Sequence, residues 1–137
     1  YTFFIYGPME LKKHYPDSYK GFIKYDKLNY VFNYSKINLC THVLCNKYGY
    51  LNERIILIGA SGGLCFVDNV NGITDTFTPN EHIIIMDKSK YIEQIVDILT
   101  NYNKYVDIRH RINDLCNKKY SYDEWGKSMT HVIQNTL

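Results

Sequence analysis

The residues with the clearest capacity for chemistry sit in one stretch, Tyr48-Gly49-Tyr50-Leu51-Asn52-Glu53-Arg54, which leads into an apolar run that reads as a helix over residues 51–60. Arg54 falls in the first turn of that helix. A cation there opposes the partial positive charge of the helix N-terminus, at a cost of about 0.3 to 1 kcal/mol unless an anion lies between them. With an anion present the cost becomes an attraction, because free backbone amides and a guanidinium together make a phosphate clamp. The alternative is an Arg54 paired with Glu53 or another carboxylate, and the residues alone leave the two open. Other candidate groups are scattered. Gly7-Pro8, Tyr25-Asp26, His42, Asp68-Asn69 and Asp87 close strand-like segments. An aspartate in such a place commonly caps the following helix. Tyr25 is placed to stack on a base, although among 14 tyrosines packing is the commoner role.

The elements that must position these residues follow from hydrophobic patterning. Residues 2–6, 21–25, 37–43, 64–67 and 82–86 are β-rich and mostly continuous apolar runs, the pattern of strands buried on both faces of a parallel sheet. Helical stretches lie between them, with Leu28, Val31 and Phe32 on one face. Gly62-Gly63, just past one helix and before the next strand, suits a left-handed helix stop. After residue 87 only helices are expected. Tyr91, Ile92, Ile95, Val96 and Leu99 form one stripe, and Tyr105, Ile108, Ile112 and Leu115 another. Ser121 and Glu124 read as a capping box opening a last helix that carries Trp125, Met129, Val132 and Ile133. The expected fold is α/β, a Rossmann-like doubly wound parallel sheet of about five strands with a helical C-terminal extension. One domain is expected over residues 1–137, with the sheet in 1–87 and the helices in 88–137. Ligands of such sheets bind in the crevice beyond the carboxyl ends of the strands.

Composition narrows the function. With 45% hydrophobic and 22% charged residues the chain is neither disordered, collagenous nor a coiled coil. A net charge of +2 gives no support to nucleic acid as a partner, and tyrosines interleaved with lysines over residues 20–30 offer only a weak single-strand reading. Apolar runs such as Ile55 to Ile58 fall far short of the roughly 20 residues of a membrane span. Neither G-x-G-x-x-G nor G-x-x-x-x-G-K-[ST] occurs, which lowers dehydrogenases and P-loop enzymes. Cys40, Cys45, Cys65 and Cys116 lack zinc-site spacing and read as reduced thiols, with a cytoplasmic location expected and no metal. The chain opens on Tyr1 and is expected to be a mature product or part of something longer.

The stretch Asn52-Glu53-Arg54-Ile55-Ile56-Leu57-Ile58-Gly59-Ala60-Ser61-Gly62-Gly63-Leu64-Cys65-Phe66-Val67-Asp68 resembles the C-terminal half of the GT-B glycosyltransferases. It is nearest to the group 1 branch that includes the spore-maturation-type enzymes, which shows Asn-x-Arg, an apolar pair, a carboxylate, then Ala-x-Gly and a buried strand ending in Asp. Asn71-Gly72-Ile73 and Thr76-Phe77-Thr78-Pro79-Asn80-Glu81 resemble that branch's Gly-Ile and Phe-x-Pro-Gly-x-Glu. Tyr120-Ser121-Tyr122 resembles its His-Thr-Tyr. The resemblance runs over about residues 2–137. It implies a domain that holds the nucleotide of a UDP- or GDP-sugar, the donor being a co-substrate, with no cofactor and no metal requirement. Arg54, Asn52 and Gly49 would lie at the diphosphate, Tyr25 near the base and Gly7 at the tip of the first strand. Where the family carries a Glu that grips the donor ribose, this chain has Leu57. The resemblance also implies an upstream N-terminal domain holding the acceptor site and base, so the chain alone is not expected to turn over. The alternative is a degenerate, non-catalytic module kept for protein contact, which Leu57 favours.

Overall fold

The computed structural model describes residues 2–136. Its sheet has three short parallel strands, β1 (Asn38–Cys40), β2 (Cys65–Asp68) and β3 (Ile84–Met86), in the order β1-β2-β3. Leu39 stands opposite Phe66, which in turn stands opposite Ile84. Helices α1 (Glu10–His14) and α2 (Leu28–Tyr34) precede the sheet, and α3 (Arg54–Ala60) joins β1 to β2. Helices α4 (Tyr91–Thr100), α5 (Val106–Lys119) and α6 (Tyr122–Thr136) follow it.

The central strand explains the layering. Successive side chains of β2 point to opposite faces. Cys65 and Val67 pack with Ile55 and Ile58 of α3 and Ile112 and Cys116 of α5. Phe66, with the preceding Leu64, packs instead with Ile84, with Ile98 of α4 and with Ile108 of α5. All four residues of β2 are buried, hence the continuous apolar run that ends in Asp68. Helix α3 lies close against α5 because position 59 has no side chain. A Cβ there would sit 2.7 Å from both Cys116 Sγ and Ile112 Cγ1. Gly62, at φ +73°, ends α3 in the left-handed conformation. Arg109 of α5 then binds the turn: Nε donates to Gly62 O at 2.6 Å, Nη2 to Asn33 O at 2.7 Å, and Nη1 to the Tyr102 hydroxyl.

Strand β3 is an edge, and α4 braces it. Gln94 Nε2 donates to Ile85 O at 3.0 Å, and Gln94 Oε1 accepts the Asp87 N–H at 2.8 Å. These are the two bonds that a residue of a fourth parallel strand would make opposite Met86.

The sheet has three strands where about five were expected. Residues 2–6 and 21–25 form none; the pairing near them stops at a single bridge outside the sheet. Ile5 makes one parallel bridge to Tyr19, donating to Ser18 O at 2.9 Å and accepting from Lys20 N–H at 2.9 Å. Gly7 N–H donates to Gly21 O at 3.0 Å, and the Tyr19 hydroxyl to Gly7 O at 3.0 Å. Tyr25 therefore does not close a strand but opens a single 3₁₀ turn, Tyr25–Lys27, that runs into α2. The C-terminal helices form where their stripes predict them. Ser121 Oγ accepts the Glu124 N–H at 3.3 Å, while the Glu124 carboxylate turns to Lys127. Among the described residues no helix is long and apolar enough to cross a membrane.

Candidate functional site

Because β1 and β2 run parallel, the loops that leave them emerge at the same end of the sheet, and side chains tie the two loops together. Asp68, the last residue of β2, accepts the His42 N–H on Oδ2 at 2.6 Å. Asn71 N–H donates to Cys45 O at 2.9 Å, and Asn71 O accepts the Gly49 N–H at 2.9 Å. The Tyr48 hydroxyl bonds the Asp75 carboxylate. Gly72, at φ +85°, leaves room for this tyrosine, since a Cβ would lie 3.0 Å from Tyr48 Cε2.

His42 is the peg of the arrangement. Its side chain is fully buried, and Nε2 accepts the Asn52 N–H at 3.1 Å. An acceptor at Nε2 puts the proton of the neutral ring on Nδ1. Nδ1 is buried without a hydrogen-bond partner, 4.0 Å from Asp68 Oδ2. Burial lowers the imidazole's pKa below its ordinary value, against the upward pull of Asp68 and with a further lowering from Arg54.

Asn52 passes the order on to α3. Its Oδ1 accepts the Arg54 N–H at 2.8 Å and so caps the helix, whose flanking Glu53 makes no side-chain cap. The Arg54 backbone is fixed while its side chain is exposed. Among the described residues the guanidinium forms no ion pair, so the expected alternative of a Glu53 partner is not what the structure contains. Its charge contributes to lowering the pKa of both Cys40 and His42.

The remaining residues singled out by sequence fall in three places. Gly49 (φ +70°) lies in the same loop, with its amide committed to Asn71. Tyr25 is 68% exposed and lines a recess of about 110 Å³ with Leu28, Asn29, Phe32, Leu57 and Ser61. Leu57 lies one helical turn beyond Arg54, so the recess adjoins the same face of α3. Gly7 is not part of this group; its bonds are to Tyr19 and Gly21. Asp87 caps toward α4, accepting Ser89 N–H at 2.9 Å and Ser89 Oγ–H at 2.7 Å, and these bonds lower its pKa. Asp26 pairs with Lys27 at 3.7 Å on the surface.

All four cysteines are free thiols. The hydrogen bond with Cys40, together with burial, pushes the Cys65 thiol well above its usual range, and burial pushes Cys116 up to about 11. Among the described residues no cluster of His, Cys, Asp and Glu is arranged to hold a metal ion. The feature that sequence reasoning missed is the His42 relay from Asp68 to Asn52. His42 and Asp68 were visible at the ends of neighbouring strands, but nothing in the residue order signals an imidazole accepting an amide ten positions later.

A family model described as glycosyl transferase-like matches residues 1–130. The chain belongs to that family. No curated protein matches it. The span shared with the glycosyl transferase-like family takes in all three strands, helices α1 to α5 and more than half of α6. The match supports a role in glycosyl transfer.

Proposed function

We propose that this glycosyl transferase-like chain is the donor-binding, C-terminal half of a GT-B enzyme of the group 1, spore-maturation-type branch. The donor is a UDP- or GDP-sugar, with its diphosphate against Arg54. The carrying observation is the exposed guanidinium of Arg54, without an ion-pair partner among the described residues, on a backbone pinned through Asn52 to the buried His42. A guanidinium accommodates phosphate oxygens in bidentate fashion. Helix α3 is short, so the side chain's full charge outweighs what the helix terminus adds. The base and ribose would occupy the recess between Tyr25 and Leu57, where Leu57 offers no acceptor to a hydroxyl.

In the reaction the bond between the sugar's anomeric carbon and the diphosphate oxygen breaks, and the electron pair leaves with the nucleoside diphosphate. The acceptor oxygen bonds the anomeric carbon, and its proton passes to a base in an upstream N-terminal domain of the same protein. Arg54 lowers the barrier by stabilising the charge that builds on the leaving diphosphate. The free thiols suit a reducing, cytoplasmic setting.

Isothermal titration of the protein with its upstream sequence restored, using UDP, GDP and their sugars, tests the reading. Arg54→Ala is expected to cost about 1.5 to 3 kcal/mol, or about 10- to 150-fold in Kd, as for a lost charge-assisted hydrogen bond. Failure of the unsubstituted protein to bind any of these ligands, or equal binding by Arg54→Ala, overturns it.

A second reading, a non-catalytic module for protein contact, is favoured by the exposed stripe of Trp125, Val132 and Ile133 on α6. It prevails if Arg54→Ala leaves the full-length protein's function intact while Trp125→Glu with Ile133→Glu abolishes it.

A further inference from the structure

Among the described residues one buried side-chain nitrogen or oxygen meets no hydrogen-bond partner, and it is His42 Nδ1. Buried orphans of this kind are uncommon in folded proteins and need a reason. The ring's other nitrogen is committed. Nε2 accepts the Asn52 N–H at 3.1 Å, which takes its lone pair and leaves the proton of the neutral ring on Nδ1. Asp68 Oδ2 lies 4.0 Å from Nδ1, about an ångström beyond a charge-assisted hydrogen bond. That oxygen accepts the His42 backbone N–H at 2.6 Å and has a second lone pair to offer. A second proton on the ring reverses these relations. Both nitrogens of an imidazolium are donors, so Nε2–H would confront the Asn52 N–H across 3.1 Å, donor against donor. The charged Nδ1–H would at the same time be drawn to the Asp68 carboxylate.

We infer that His42 is a positioning residue of the candidate site that works only while uncharged. Neutral, it holds Asn52 and, through Asn52 Oδ1, the first turn of α3; charged, it turns to Asp68 and lets that segment go. The release is local. The loop between β1 and α3 keeps its other ties, from Cys45 O and Gly49 N–H to Asn71 and from the Tyr48 hydroxyl to Asp75. What loosens is the stretch from Asn52 into α3, where Asn52 Oδ1 caps the Arg54 N–H at 2.8 Å. Burial does most to lower the ring's pKa; Asp68 at the end of β2 opposes it, and Arg54 at the start of α3 adds to it. Within its own loop the Cys45 thiol donates to the His42 carbonyl at 3.5 Å, not to the ring. The tie therefore holds at neutral pH and is lost on acidification. This latch goes beyond the donor-binding reading, and only its effect on a ligand rests on that reading.

Amide hydrogen exchange of the full-length protein between about pH 7.5 and about pH 5.5 tests the latch, each rate being divided by the intrinsic rate at that pH. Protection of the Asn52 amide is expected to fall by up to about tenfold per pH unit once the ring begins to charge, as one linked proton requires. It should do so from a level below that of the α5 amides, because the opening is local. In His42→Gln the side-chain oxygen still accepts the Asn52 N–H but takes up no proton, so Asn52 protection should be the same at both ends of the range. Should that variant fold poorly, the unsubstituted protein decides. Nitrogen NMR shifts of the ring must then report the Nδ1–H tautomer at neutral pH and a titration midpoint that coincides with the loss of Asn52 protection. Constant Asn52 protection, protection identical to that of α5 throughout, or a pH dependence that survives in His42→Gln overturns the latch. UDP-glucose and GDP-glucose, whose esterified diphosphates do not titrate in this range, carry the test to the site. The better of the two should bind the unsubstituted protein about tenfold more weakly at the acid end, and the Gln variant alike at both. Equal binding by the unsubstituted protein at both ends overturns the positioning role. Failure of both esters to bind at any pH refutes the donor reading instead, and the exchange result still judges the latch.

Discussion

The contact between α3 and α5 gives a sharp test, because α3 is the helix that Arg54 opens. Adding one methyl group at Gly59 would place it 2.7 Å from Cys116 Sγ, 2.7 Å from Ile112 Cγ1 and 2.9 Å from Ile112 Cδ1. Ordinary carbon contacts fall at about 3.5 to 4.0 Å, so three atoms would have to retreat by more than half an ångström. Ile112 is 0% exposed and Cys116 1% exposed, leaving neither an easy path. Overpacking of this kind costs about 1 to 3 kcal/mol, and the upper part of that range applies because two walls are struck at once. Alanine's better helix propensity returns about 1 kcal/mol. Gly59→Ala is therefore expected to destabilise the protein by about 2 kcal/mol, which for a chain of this length lowers Tm by about 8 °C. Urea unfolding should show a lower midpoint at unchanged m. Cys116→Ala in the same chain removes one wall, and the pair should recover about 1 kcal/mol or more relative to the sum of the single changes. A Gly59→Ala protein as stable as the parent would refute the view that this glycine sets the spacing of the two helices.

Two further outcomes follow. The pKa of folded His42 lies below its ordinary value of 6.5, so the unfolded chain binds more protons as the pH falls. The stability involved is complete above about pH 6.5 and is lost as the pH drops through the folded pKa, with a slope of at most about 1.4 kcal/mol per pH unit. His42→Gln should flatten the difference between urea midpoints at pH 5.5 and 7.5, and an unchanged slope would place the titration elsewhere. Gln94→Ala should speed hydrogen exchange of the Asp87 amide about fivefold, the equivalent of about 1 kcal/mol for one lost hydrogen bond. Unaltered exchange would mean that the brace carries no weight.

What could be read from the residues depended on how local the cause was. The C-terminal helices were legible because their stripes repeat within each helix, and β2 because burial on both faces leaves an unbroken apolar run. Residues 2–6 and 21–25 carry the same local signal, yet a strand exists only if a partner's amides and carbonyls are free to pair with it. Here the pairing of residues 5–7 with 18–21 stops at one parallel bridge, Ile5 to Tyr19, and does not join the sheet. Within the site, Asn52 and Arg54 stood out because they are two positions apart at a helix start. The tie from Asp68 through His42 to Asn52 joins residues far apart in the chain, and only the parallel pairing of β1 with β2 brings them together.

The Gln94 brace makes the sheet's two borders unequal. Its carboxamide fills the slot opposite Met86, so an incoming strand on that flank would first have to evict a side chain that already meets the donor and acceptor it seeks. Among the described residues no side-chain hydrogen bond plugs the far flank in this way, and Leu39 there is 41% exposed. Enlargement of this sheet, whether by a longer homologue or by a designed fusion, therefore has a preferred direction: outward from β1, away from α4.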